Sequence, residues 1–193
     1  MSLKNIILGT VLVFSITYGG IYIYNSSSDV KDVSFSGKYI GFDNLQEMEE
    51  KSDLIVLGKK TSTKENIVKL DNTNAYIDAY SLANIEIKKV IKNETGKLLY
   101  KSDNITVMEY AASDIDSLGK KRFFHLEDYT LMKDNKHYAL FLRESKTDPN
   151  VYLIRGAVFG KVPLDTEENI QDVEIINISK QVKEKYKGQI TME

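Results

Sequence analysis

The chain has 193 residues, with 26 lysines and arginines against 28 aspartates and glutamates, and a formal net charge of -2. That balance, with no basic stripe along the sequence, argues against a nucleic-acid partner. There is no cysteine, which excludes a disulfide framework and an anchor built on an acylated thiol.

Residues 6–24 read IILGTVLVFSITYGGIYIY and carry no charge. A run of this length crosses the ~30 Å hydrocarbon core of a bilayer as a helix. Tyr18, Tyr22 and Tyr24 suit the outer interface, where amphipathic rings collect, and Lys4 favours a cytoplasmic N-terminus. The segment is expected to be an uncleaved signal anchor. The alternative is a cleaved signal peptide, but its apolar core is usually shorter and ends in small residues of the A-x-A type; here only Ser26 and Ser28 offer a cleavage site. The expected layout is a cytoplasmic tip at 1–5, a single transmembrane segment at 6–24, a polar tether at 25–42 and an extracytoplasmic domain at 43–193. A disulfide-free exported domain suits a bacterium.

Asp43 is placed to cap a short helix to about residue 51, with Gln46 three residues on as in a capping box. Residues 53–61, DLIVLGKKT, form the first strand, apolar on both faces, with Gly58 marking a bend or bulge. Residues 75–92 form a long strand region in which Tyr76, Asp78, Tyr80 and Leu82 share one face. Ile85 and Ile87 take the other, so an irregularity is expected between Leu82 and Ile85. Residues 104–110 are the next strand, with Ile105 and Val107 together. Residues 137–143, HYALFLR, are expected to be the central strand: Tyr138, Leu140 and Leu142 on one face, Ala139 and Phe141 on the other. Residues 151–164 return as strand broken at Gly156 and Gly160. Residues 173–178 read as a strand or a helix start, and a terminal amphipathic helix covers residues 179–187, with Val182 and Tyr186 at i, i+4.

Residues 111–126 read as a long irregular loop, and long loops in compact domains are often functional. The loop carries Lys120, Lys121 and Arg122 directly before Phe123 and Phe124. This basic and aromatic group is the candidate contact surface for an envelope protein, a wall polymer or lipid headgroups. The plain alternative is that the two rings turn inward and close the end of the domain.

The element order predicts a mainly β fold: a small five- to six-stranded OB-like barrel with a short N-terminal and a C-terminal helix, preceded by the transmembrane helix. The strands SDLIVLGKKTS, IEIKKVIKN, DNITVMEY and DNKHYALFLR resemble a pattern in uncharacterised exported proteins of Gram-positive bacteria. Their order is similar to the OB barrel of the tissue-inhibitor-of-metalloproteinase and netrin modules, over residues 45–164. Those inhibitors chelate zinc through an N-terminal cysteine, which this chain lacks, so the resemblance implies a fold and transfers no functional residue.

No motif fixes a reaction. The chain has no G-x-S-x-G elbow, no H-E-x-x-H, no EF-hand loop and no phosphate loop of the G-x-x-x-x-G-K-[ST] type. His125 lies near Glu127 and Asp128, which leaves open a small metal-assisted hydrolase. The favoured reading is a membrane-tethered binding module with no catalytic residues, no resident metal and no cofactor.

Overall fold

The computed structural model describes residues 30–37, 39–73, 76–127, 129–166 and 172–190. The expected anchor at 6–24 lies outside them. Among the described residues no helix is long and apolar enough to cross a membrane.

In chain order these residues form β1 (Lys31–Phe35), α1 (Leu45–Glu50), β2 (Leu54–Leu70), β3 (Tyr76–Asn93), β4 (Asn104–Glu109) and β5 (Ala111–Ile115). There follow β6 (Lys121–Leu126), β7 (His137–Glu144), β8 (Val151–Ile154), β9 (Lys161–Pro163) and α2 (Val173–Tyr186). The fold is mainly β with a C-terminal helix, as expected. The strands do not make one closed barrel of five or six. They form a six-stranded sheet in the order β2-β3-β4-β8-β7-β9 and a three-stranded sheet in the order β1-β6-β5. Within the larger sheet β2 pairs antiparallel with both β3 and β7, which curls the sheet on itself.

β7 is central, with β2, β8 and β9 all bonded to it. Its alternation divides the core. Tyr138, Leu140 and Leu142 pack with Leu54, Val56, Ile85 and Val107 inside the curl. Ala139 and Phe141 face the other way, with Ile55 and Leu57, and are covered by α1 and α2. The helix α2 supplies Ile175, Ile178, Val182 and Tyr186, a single face at helical spacing. Truncating a side chain such as Phe141 to Ala in such a core costs about 3–5 kcal/mol.

Local details shift from expectation for local reasons. The cap of α1 is Asn44, whose Oδ1 accepts from the Glu47 amide at 2.9 Å, while Glu47 Oε2 accepts from the Asp43 amide at 2.8 Å. The cap falls one residue later than Asp43, and Glu47 in place of Gln46 reaches back to the amide just before the cap instead of to the cap's own amide. On β3 the expected irregularity between Leu82 and Ile85 is absent: Ala79, Ser81, Ala83, Ile85 and Ile87 alternate inward without a break. Small residues carried that face, so its apolar signal was thin. The register shifts there fall between Lys60 and Ser62 and between Thr63 and Glu65 on β2. A further shift at Leu57/Gly58 gives the expected bulge; a Cβ at Gly58 would stand 2.5 Å from Ile85 Cγ2. The helix α2 is continuous and starts earlier than residue 179, capped by Asp172, whose Oδ1 accepts from the Glu174 amide at 2.8 Å.

Two segments read as irregular are strands. β1 lies within residues 25–42, taken as tether, and pairs parallel with β6; Phe42 is buried in the core as well. β5 and β6 lie within residues 111–126, taken as loop. Among the described residues the first segment buries Phe42, and the second buries Ala111, Ala112, Phe124 and Leu126, so neither shows a run of large apolar side chains.

One buried ion pair ties the curl together. Lys60 Nζ lies 2.9 Å from Glu109 Oε2 and donates to the Met132 carbonyl at 2.8 Å. Glu109 Oε1 accepts from the Met132 amide at 2.6 Å.

Candidate functional site

The basic group at 120–124 sits on a hairpin. Its tip is closed by Asp116, whose Oδ1 accepts from the Leu118 and Lys120 amides, both at 2.9 Å. Gly119 takes φ +78 there, a conformation glycine adopts without strain. Across the hairpin Asp114 faces Arg122. The two form a forked pair, Nε to Oδ1 at 2.8 Å and Nη2 to Oδ2 at 2.5 Å. The same guanidinium lies over the Phe124 ring, 5.4 Å from its centroid.

The five candidates therefore separate. Phe124 is buried with Ala79 and Ala112 in a small cluster, and Arg122 is committed to Asp114. Phe123 is half-buried and stacks on His125, centroids 5.3 Å apart. Lys120 and Lys121 are exposed. Beside them Ile115 and Leu118 stand 65 % and 80 % exposed. The tip is thus basic and apolar, while the arginine and the second ring hold the hairpin together.

His125 has a partner other than those expected. Its Nε2 lies 2.9 Å from Asp32 Oδ1 on β1. Asp128 lies outside the described residues. Among the described residues no group of three or more His, Cys, Asp or Glu side chains is arranged to hold a metal ion.

A second site comes from residues that sequence reasoning did not select. β4 and β8 run parallel, Met108 opposite Leu153, and both end at a cleft of about 200 Å³. It is lined by Tyr39, Ile40, Tyr110, Leu126, Arg143, Ile154, Arg155, Gly156 and Ala157. The turn below it is tight: Gly156 and Ala157 take φ +58 and +50. A Cβ on Gly156 would meet the Ile40 carbonyl oxygen at 2.5 Å, so glycine lets the 39–42 segment close over the turn. A left-handed alanine costs about 1–2 kcal/mol, and here it is held by burial.

Two of the three arginines meet in this cleft. Arg155 donates from Nη2 to Asp53 Oδ1 at 3.0 Å, and its Nε is buried without a partner. Among the described residues Arg143 reaches only the Glu144 carbonyl, at 3.5 Å, a long contact. The Tyr110 hydroxyl donates to the Ile154 carbonyl at 3.2 Å. Burial pushes the Tyr110 phenol above its usual range, while the charges of Arg143 and Arg155 pull against that rise. The cleft thus joins a phenol and two guanidiniums in partly water-excluded surroundings.

The signal for this site lay in composition. Basic positions are filled by lysine except at Arg122, Arg143 and Arg155. Arginine's planar fork does what lysine's point charge does not, so a lysine-rich chain marks forked contacts where it turns to arginine. No protein-family model matches this chain, and no curated protein matches it in sequence.

Proposed function

We propose that this protein is a membrane-tethered, extracytoplasmic binding module, held by residues 6–24 as a single-pass anchor and belonging with the exported OB-barrel proteins of Gram-positive bacteria. The observation that carries the binding reading is the cleft in which Arg143 and Arg155 converge on Tyr110. Pockets with a few converging polar groups set among apolar walls are the usual form of a ligand site.

The OB-like reading is supported by the pairing sequence β2–β3–β4–β8–β7 with β7 returning to β2. A partly open five-stranded barrel of this kind binds through loops and one strand face, although a fold by itself assigns no ligand. The tether is supported by the uncharged run and by β1, the first described strand, which begins soon after it. Lys31 on β1 pairs with Arg122 near the hairpin tip. Exposed Lys120, Lys121, Ile115 and Leu118 then stand on the side from which the chain leaves toward residues 6–24. There they meet anionic headgroups of the same membrane.

Fractionation of cells making the full chain tests the tether. The expected result is retention in the membrane pellet after alkaline washing, with the domain digested by protease added outside intact cells. A mature N-terminus near residues 26–29 by mass spectrometry, with the protein in the medium, would identify a secreted form instead.

A further inference from the structure

Three features of the cleft have no role in holding the fold together. Among the described residues, Arg143 has no carboxylate at ion-pair distance, whereas Arg122 and Arg155 each have one. Arg155 keeps a buried Nε without a partner. Of the two guanidiniums, Arg155 alone is paired with a carboxylate, that of Asp53, which leaves a positive charge in a cleft with apolar walls. An unpaired cation in partial burial is costly unless something answers it.

We propose that the cleft binds a compact oxyanion, a carboxylate or phosphate end-group, held by Arg143 and Arg155 and bordered by the Tyr110 hydroxyl. This rests on reading the cleft as the binding site and names its ligand class. Guanidiniums recognise flat or tetrahedral oxyanions through paired hydrogen bonds stronger than neutral ones. The volume of about 200 Å³ is below that of a pocket for a drug-sized molecule, so the cleft takes an end-group or a small anion. Leu126 and Ile154 lie alongside and suit a short apolar stem next to the charged group. Arg155 is part-held by Asp53 and acts as the fixed donor; Arg143 is the one whose pairing changes on binding.

The chain supplies its own probe, because arginine occurs only at positions 122, 143 and 155. Full-length protein in mild neutral detergent, labelled with nitrogen-15 in arginine alone, gives three Nε–H signals. Titration with propionate, and separately with inorganic phosphate, is compared with chloride at equal ionic strength. The expected result is a saturable movement of the Arg143 and Arg155 signals with at least one of the two anions and none at Arg122. Earlier saturation with propionate identifies a carboxylate source; earlier saturation with phosphate identifies a phosphate source. Arg143→Lys keeps the charge but loses the fork, and should weaken the movement at Arg155 at least tenfold while the Arg122 signal stays put as a report of intact folding. Equal drift of all three signals, or no difference from chloride with either anion, would overturn the proposal. Such a failure leaves the tether untouched, since fractionation tests that separately.

Discussion

Lys60 and Glu109 meet inside the curled sheet at 2.9 Å, and their side chains are 2 % and 0 % exposed. Each is also bonded to the backbone of Met132, so β2, β4 and the segment before β7 share one polar knot. Removing one member of such a pair leaves a buried charge uncompensated. Glu109→Ala or Lys60→Ala should therefore cost about 3–5 kcal/mol. Replacing both by apolar residues of similar size, Lys60→Met with Glu109→Leu, should cost less than either single change. Chemical denaturation of the full chain in mild detergent measures all three; a double variant weaker than both singles would deny that the loss comes from an unpaired charge.

The hairpin separates contact from support. Phe124→Ala empties a buried position and Arg122→Ala removes the fork to Asp114, so both should lower the melting temperature. Lys120→Ala with Lys121→Ala should leave it within about 2–4 °C, since each change to an exposed lysine falls within ~0.5 kcal/mol. Association of the purified protein with added anionic vesicles should drop in the lysine variant only. Equal melting temperatures for all of these variants would return residues 111–126 to the status of a free loop.

Asp165 adds a pH dependence. His137 Nδ1 lies 2.9 Å from its Oδ2, and the His137 amide donates to its Oδ1 at 3.1 Å. Burial works to raise the Asp165 carboxyl, but the hydrogen bonds and charge of His137 outweigh it, and the carboxyl titrates below its ordinary value. A carboxyl depressed in the folded state stabilises it fully above the unfolded value of about 3.9 and loses that contribution as pH falls through the lower folded value. Asp165→Asn should lower stability at neutral pH and flatten its decline below about pH 4. A decline of unchanged steepness would move the acid-sensitive group elsewhere.

Large apolar residues made β7 and the first half of β2 legible, because both carry such side chains on two faces. The same rule hid β5, β6 and β1. Their inward positions are Ala111, Ala112, Phe124 and Val33, too small or too scattered to outweigh the aspartates and lysines between them. Glu109 was hidden for the opposite reason: a carboxylate in NITVMEY reads as the solvent face, and only its partner Lys60, distant in sequence, reverses that. The hairpin candidates could be listed from the sequence, yet which of them face water depended on the pairing of Arg122 with Asp114. The cleft needed the parallel pairing of β4 with β8, which brings Tyr110 beside Arg155 across a long stretch of chain that no local pattern encodes.

The parallel seat of β1 against β6 has a mechanical meaning. Lys31 lies opposite Arg122 and Phe35 opposite Leu126, and β1 is the edge of its sheet. Tension entering from the N-terminal side would run along the strand and load its bonds in shear, all together. Once they gave way, the chain would pay out as far as the buried Phe42, at about 3.3 Å per residue, with the core of β2 and β7 still intact. A load on the N-terminal side would thus meet β1 first, before it reached the core of β2 and β7.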